Sequence, residues 1–146
     1  MMLLDVVAVG RLRSREITAL AAEFAKRLGK YARLKVTELV DSDPAGEGRA
    51  ILRELDRARG AKIVVLSEEG KLFSTAEFAG LLEKCDTRVL FVVGGPFGLA
   101  PEVKARADLL WSLSPLTFTH EMARLLLLEQ LYRALNFNAG GSYHHQ

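Results

Sequence analysis

The sequence predicts an α/β protein built on an open, parallel sheet, and three features of the 146-residue chain indicate this class. Short runs of β-branched and other apolar residues alternate with segments whose apolar residues recur at helical spacing. Turns that contain glycine or proline separate these segments. The composition, with 49% hydrophobic and 26% charged residues, is typical of a globular protein that buries a core. We therefore expect a single domain over residues 1–146.

The first half of the chain predicts three strands and two helices in alternation. Buried strands are expected over residues 3–9, 34–39 and 62–66. Helices are expected over residues 17–28 and 51–58, where apolar residues return every three or four positions. Residues 40–48 contain aspartates, a proline and two glycines, so this segment predicts a loop.

The second half continues the alternation. Ser74 and Glu77 have the spacing of a capping box, which predicts a helix that starts at Ser74 and runs to Lys84. Strands are expected over residues 88–93 and 109–113, with a short helix that starts at Pro101 between them. A long helix is expected over residues 120–136. Strands that alternate with helices in this way indicate a parallel sheet covered on both faces.

The last predicted helix contains four consecutive leucines, Leu125 to Leu128. Four adjacent helical positions span about 300° around the axis, which is more than one sheet can cover. A symmetry mate is the simplest source of a second apolar surface. Deep burial within one chain is the alternative.

The formal net charge of +2 permits a nucleic-acid partner without requiring one. Basic residues are concentrated in the first quarter of the chain, at Arg11, Arg13, Arg15, Lys26, Arg27, Lys30, Arg33 and Lys35. This concentration predicts either a patch that faces phosphates or an ordinary solvated helix face.

Cys85 is the only cysteine, so an intramolecular disulfide and a cysteine-based metal cluster are excluded, and we expect no metal. The apolar run near the start of the chain is too short for a signal peptide or a membrane span. We therefore expect a soluble, cytoplasmic protein that makes no membrane contact.

A glycine-rich turn, Gly94-Gly95-Pro96-Phe97-Gly98, follows a predicted strand at the edge where open α/β sheets bind ligands. It is not a P-loop, because no Lys-Ser or Lys-Thr pair follows. Nor is it a dinucleotide fingerprint, because that motif opens the first strand–helix unit. A tight turn without any ligand would use the same residues, so both interpretations remain open.

A second loop, from Ser114 to Thr119, follows the last predicted strand. It belongs to an uncharged segment, Trp111 to His120, that is rich in small hydroxyl groups and exposed backbone amides. Its backbone amides are suited to binding an adenine by hydrogen bonds and apolar contact. The alternative is a simple connector in which Thr119 is the N-cap of the final helix.

Several motifs, taken together and in order, resemble one known family over nearly the whole chain. They are residues 3–10, Glu69-Gly70-Lys71, residues 92–99, residues 111–114, residues 117–120, residues 128–134 and Tyr143-His144. This set resembles the ribosomal large subunit methyltransferase H family of SPOUT-class RNA methyltransferases. The resemblance implies a SPOUT-type α/β fold with a C-terminal trefoil knot, and a homodimer.

The activity that the resemblance implies is N3-methylation of a pseudouridine in the intersubunit hairpin of 23S rRNA, within the ribosome. The implied methyl donor is S-adenosyl-L-methionine, bound by three loops. By position, the cofactor-binding residues are Leu66, Gly94, Leu113, Ser114, Pro115, Leu116, Thr117 and Phe118.

His120, Tyr143 and His144 are the candidate catalytic residues, because methyl transfer to a protonated base nitrogen requires a proton acceptor. An unperturbed histidine pKa of about 6.5 suits that role, although a histidine at a helix start also serves in packing. The tail departs from the family, since Ser142 replaces a proline and His145-Gln146 replace a basic end. This departure puts a role for a terminal positive charge in doubt.

Two other functional classes compete with the methyltransferase. A non-catalytic RNA-binding module would use the basic first quarter and would not bind S-adenosylmethionine. A nucleotide-binding hydrolase would need a nucleophile–base pair or a carboxylate cluster, and the sequence has neither at a recognisable spacing. Arg124 and Arg133 are candidate contacts for RNA phosphates, with solvent-facing or intersubunit salt bridges as the alternative.

Overall fold

The computed structural model describes residues 1–85 and 87–145, in which strands and helices alternate. The strands are β1 (Met2–Val9), β2 (Ala32–Leu39), β3 (Lys62–Lys71), β4 (Arg88–Val93) and β5 (Leu109–Trp111). The helices are α1 (Arg15–Leu28), α2 (Pro44–Arg57), α3 (Thr75–Lys84), α4 (Pro101–Ala105) and α5 (His120–Asn138). Gln146, the last residue of the predicted tail, lies outside the described residues.

The strands form one parallel sheet in the order β2-β1-β4-β3-β5. This arrangement confirms the predicted α/β class. Parallel pairing places the carboxyl ends of all strands at one edge, where the turns that follow them meet. The central strands β1 and β4 are buried along most of their length, which explains why they read as continuous apolar runs.

Helices cover both faces of the sheet, as the alternating pattern predicts. On one face, Leu4, Val6 and Ala8 of β1 belong to a core that includes residues of α1, α3 and α5. On the other face, Val7 and Val9 belong to a core with residues of α2 and α4. The alternation of side chains along β1 therefore divides one strand between two apolar layers.

The four-leucine run of α5 is covered mainly within one chain. Leu125, Leu127 and Leu128 are buried, and Leu126 is half-buried. This burial arises because α5 contacts α1 and α3 as well as the sheet. The structure thus favours the alternative of deep burial, and the run by itself gives no argument for a symmetry mate.

The predicted loop over residues 40–48 is wrong from Pro44 onward, where α2 begins. The side chain of Asp43 accepts a hydrogen bond from the backbone N–H of Gly46 at 2.7 Å and caps the helix. Pro44 suits the first helical turn because its missing N–H has no intrahelical partner there. Because Gly46 and Gly48 are typical of loops, the sequence did not indicate that a helix begins here.

Two further boundaries differ from the predictions. β3 continues to Lys71, with a register shift between Leu66 and Lys71 where it pairs with β5. A Cβ atom at Gly70 would lie 2.6 Å from the backbone of Leu110, so only glycine permits this approach. β5 ends at Trp111, two residues before the predicted end. Ser74 is the N-cap of α3, with both hydrogen bonds of the capping box present.

Candidate functional site

A cavity of about 920 Å³ lies at the carboxyl edge of the sheet, between the second half of β3, the turns that follow β4 and β5, and the start of α5. Seven of the eight predicted cofactor residues line it, namely Leu66, Gly94, Leu113, Ser114, Leu116, Thr117 and Phe118. Pro115 is exposed and is not among the lining residues. The structure therefore brings the three predicted loops together around one space.

The glycine turn forms one wall of this cavity. A backbone hydrogen bond closes this turn: the N–H of Gly98 donates to the carbonyl of Gly95 at 3.2 Å. Gly98 has a φ of +81°, which other residues rarely adopt. A Cβ atom at Gly94 would lie 2.8 Å from Cγ of Leu99. The packing behind the turn thus requires a bare backbone at this position.

A buried glutamate lies behind the same turn. Glu47 is 3% exposed, and its Oε2 accepts from the backbone N–H of Ser42 at 2.9 Å. Its Oε1 has no hydrogen-bond partner among the described residues and lies 3.4 Å from the Cβ position of Gly95. Sequence reasoning missed Glu47 because the start of α2 read as a loop, and the Asp43 cap was the signal that would have found it.

The loop after β5 is ordered by its own hydroxyl groups. Ser112 Oγ donates to the carbonyl of Ser114 at 2.8 Å, and Ser114 Oγ accepts from the N–H of Leu116 at 3.0 Å. Thr117 Oγ1 donates to Glu68 Oε2 at 2.6 Å, which links this loop to the end of β3. Thr119 caps α5, as predicted, by accepting from the N–H of Met122 at 3.3 Å.

Three charged residues line the cavity. Lys104 forms a salt bridge with Glu69, and the hydrogen bond from this ammonium lowers the pKa of the Glu69 carboxyl. The other two charged residues that line the cavity are Glu68 and Glu121. Backbone N–H groups of Ser14 and Arg13 donate to Glu121 and hold its pKa below the usual value. The lining therefore carries more negative than positive charge.

His120, the first residue of α5, is half-buried and lines the cavity beside the predicted cofactor residues. Tyr143 and His144 are not among the lining residues. They lie against the second half of α5, where Arg133 is thirteen residues beyond His120. That separation is about 20 Å along the helix axis. Of the three catalytic candidates, the structure brings only His120 to the cavity of its own chain.

The tail is held on α5 by a polar cluster. Glu129 Oε1 accepts from Arg133 Nε at 2.9 Å and from the hydroxyl of Tyr143 at 3.2 Å. Arg133 Nη1 lies 3.0 Å from His144 Nδ1. The ring of Tyr143 packs against Tyr132 with centroids 4.9 Å apart. Sequence reasoning missed Glu129, although its spacing of four residues from Arg133 is typical of a helical ion pair.

This cluster fixes the hydrogen-bonding roles of both tail candidates. Burial, and then the negative charge of Glu129, raise the pKa of the Tyr143 phenol, so this group stays protonated at neutral pH. Arginine has only donors, so His144 must accept through Nδ1 and carry its proton on Nε2. In this arrangement the Tyr143 hydroxyl donates to Glu129 and His144 Nδ1 accepts from Arg133, so neither group is an unengaged base.

Arg124 and Arg133, the two arginines that the sequence analysis considers for RNA contact, form ion pairs within the chain. Arg124 Nη1 contacts Glu38 Oε2 at 2.6 Å, and Arg133 contacts Glu129. Their side chains are only 11% and 26% exposed. Both arginines therefore form salt bridges, but within one chain rather than in the solvent-facing or intersubunit form that the sequence analysis considered.

Among residues 1–85 and 87–145, no group of three or more histidine, cysteine, aspartate or glutamate side chains is placed to hold a metal ion. In the same residues, none of the helices has both the length and the apolar character needed to cross a membrane.

The fold and the site first define a class: parallel α/β proteins with a ligand cavity between strand-end turns. A probable methylase family protein from Haemophilus influenzae Rd KW20 has this fold, with a TM-score of 0.59 and 14% identity over 98% of this chain and 70% of that one. The SpoU methyltransferase AviRb from Streptomyces viridochromogenes, solved in complex with the cofactor AdoMet, gives a TM-score of 0.50 and 13% identity. That match covers 94% of this chain and 58% of AviRb.

Sequence comparison identifies the family. The protein-family model described as "Predicted SPOUT methyltransferase" matches residues 2–144. The ribosomal RNA large subunit methyltransferase H of Gloeobacter violaceus is 44% identical, over 99% of each chain. The chain belongs to the ribosomal RNA large subunit methyltransferase H family of the SPOUT methyltransferases, and the resemblance noted in the sequence is thereby confirmed.

Proposed function

We propose that the protein transfers the methyl group of S-adenosylmethionine to N3 of a pseudouridine in the intersubunit hairpin of 23S rRNA, on ribosomes in the cytoplasm. The observation that carries this proposal is the single cavity formed by the three predicted cofactor loops. Membership of the family and the AdoMet complex of AviRb support the same ligand. The proposal includes a single domain with a C-terminal trefoil knot, as the family resemblance implies.

The cavity fits such a ligand in size and chemistry. Its volume of about 920 Å³ lies within the range typical of small-molecule sites. Leu66, Leu113 and Phe118 offer apolar surface for an adenine, and the backbone between Ser114 and Thr117 offers hydrogen bonds. The missing side chain of Gly94 lets Leu99 pack against the glycine turn, and both residues line the cavity.

The residues of the chain must align the acceptor, exclude water and accept a proton. When bound, S-adenosylmethionine supplies an electrophilic methyl group. Alignment of two reactants is worth roughly 7 to 11 kcal/mol of the barrier. We assign His120 as the candidate proton acceptor in the cavity, because its ring lies there and forms no hydrogen bond with a described residue. Tyr143 and His144 would orient the base, His144 by donating from Nε2 and Tyr143 by accepting at the hydroxyl oxygen whose hydrogen goes to Glu129.

A homodimer is part of the proposal, because the tail candidates do not reach the cavity of their own chain. Two exposed apolar side chains, Leu20 on α1 and Met122 on α5, offer surface for a partner. These two helices pack together, so both side chains belong to one side of the molecule. A two-fold partner in which the tail of one subunit reaches the cavity of the other would complete the site.

Cofactor binding is tested by calorimetric titration with S-adenosylmethionine. We expect saturable binding by the wild type and about tenfold weaker binding by Gly94→Ala, a loss of about 1.4 kcal/mol, because the new Cβ displaces Leu99 and the turn. Gly80→Ala in α3 is the matched control, since a Cβ there contacts nothing within 4 Å. No saturable heat from the wild type would instead favour the RNA-binding module.

The acceptor is tested with S-adenosylmethionine that carries a radiolabelled methyl group. We expect assembled ribosomes to be labelled in preference to free large subunits and naked 23S rRNA, because a chain of this size has little surface for reading sequence. Mass spectrometry of the labelled RNA should find the methyl group on a pseudouridine. Equal labelling of all three acceptors would contradict the need for the ribosome, and a methyl group elsewhere would contradict the assigned nucleotide.

A further inference from the structure

The basic residues of the first quarter form two groups, which α1 separates. The first group is Arg11, Arg13 and Arg15, at the start of α1 and in the segment before it. The second group is Lys26, Arg27, Lys30, Arg33 and Lys35, at the end of α1 and in β2. All are exposed, but a helix of 14 residues, about 20 Å long, lies between the groups. The predicted basic region is therefore not one patch.

Only the first group lies beside the cavity. It follows the carboxyl end of β1, which pairs with β4 just before the glycine turn. Ile17, in the first turn of α1, lines the cavity, as does Glu121, which binds the backbone of Arg13 and Ser14. The second group surrounds Ala32, which pairs with Met2 at the opposite end of β1.

The segment that carries the first group, residues 11–15, is held at three points. Before it, the carbonyl of Gly10 accepts from Arg124 Nη1 at 3.5 Å. Within it, Leu12 packs against the core of the α1 face. The backbone N–H groups of Arg13 and Ser14 donate to Glu121 Oε1 at 2.8 and 3.0 Å. A segment fixed in this way loses little conformational entropy when its side chains bind a ligand.

The three arginines are available for an external anion. None of them forms a salt bridge with a described residue. The cavity beside them is lined by Glu68 and Glu121, with Lys104 already paired to Glu69. Without these arginines, the rim would repel a polyanion as it brought its base into the cavity. The guanidinium fork matches the geometry of phosphate oxygens.

We propose that Arg11, Arg13 and Arg15 bind backbone phosphates of the RNA that flank the target nucleotide, and so position the base at the cavity. This inference rests on the proposed function. Such contacts fix register and orientation without reading sequence. The second basic group takes no part in this contact, although its charge is similar.

The test compares two triple variants with the same change in charge, Arg11→Gln/Arg13→Gln/Arg15→Gln and Lys26→Gln/Arg33→Gln/Lys35→Gln. Affinity for bacterial ribosomes is measured across a series of KCl concentrations. Each lost phosphate contact lowers the slope of log affinity against log salt by roughly 0.7 to 0.9, so we expect the first variant to lose roughly 2 to 3 units of slope. The second variant should keep the wild-type slope, and both should bind S-adenosylmethionine normally.

Three results would overturn the inference. An unchanged slope in the first variant would show that the arginines make no phosphate contact. Equal losses in both variants would indicate a diffuse effect of net charge. A smaller assembly of the first variant alone in sedimentation would assign the arginines to a subunit interface. Failure of the wild type to bind S-adenosylmethionine would instead count against the proposed function, while the salt series would still test the arginines.

Discussion

Two inactive variants are expected to regain methyl transfer when their subunits are exchanged. One is the cavity variant Gly94→Val, which displaces Leu99 and the glycine turn that lines the cavity, and the other is the tail variant Tyr143→Ala/His144→Ala. In a mixed dimer, one site would combine the intact cavity of the tail variant with the intact tail of the cavity variant. Random exchange makes half of the dimers mixed, each with one working site, so about a quarter of the wild-type rate should return.

This result is expected because Tyr143 and His144 are bound to the second half of α5, away from the cavity of their own chain. Incorporation of labelled methyl groups into ribosomes measures it. A mixture of Gly94→Val with Gly98→Val is the matched control, because every site in that mixture has a damaged glycine turn. If differently tagged subunits exchange and the rate stays at zero, the tail does not act on the partner.

The second large effect is expected at Trp111, the last residue of β5. Its ring is 4% exposed, stacks on Phe78 with centroids 4.1 Å apart, and meets Phe91 edge to face. Trp111→Ala should lower the free energy of unfolding by about 3 to 5 kcal/mol, because it leaves a cavity in the core of the α1 face. Urea unfolding followed by circular dichroism measures the change.

Trp111→Phe is the matched control, because a phenyl ring retains part of the stack on Phe78 and should cost clearly less. The alanine variant should also bind S-adenosylmethionine weakly, since Trp111 directly precedes the loop that lines the cavity. An alanine variant that loses less than about 1 kcal/mol would mean that the surrounding core collapses into the space.

The sheet was predictable because its strands are short, rich in β-branched residues and flanked by turn residues. β1 and β4 read as buried runs, and Ser74 with Glu77 marked the start of α3. The start of α2 was not predictable from composition, because two glycines in its first turns outweighed the cap at Asp43. Local capping geometry prevailed there over residue preference.

Burial around α5 was predicted less well than its existence. The prediction from the leucine run assumed that a single surface covers α5. In the structure three elements cover it: the sheet, α1 and α3. Which surfaces surround a helix depends on topology, and periodicity carries no information about that. The leucine run therefore predicted a need for burial and not the element that satisfies it.

The positions of the cavity residues came from motif resemblance, because no periodicity identifies which strand-end turns meet. Pro115 differs from the other seven because it does not line the cavity, although the residues on both sides of it do. The location of Tyr143 and His144 depends on contacts with Glu129, Arg133 and Tyr132. Such contacts join distant segments, and a linear pattern does not show them.

Trp111 is also the only tryptophan of the chain. Its indole is shielded from water and lies one residue before the loop that begins at Ser112. The protein thus carries an intrinsic fluorophore at the foot of that loop. Stopped-flow emission can follow the binding of a ligand beside that loop in the unlabelled, unmodified chain, and can separate binding from the chemistry that follows.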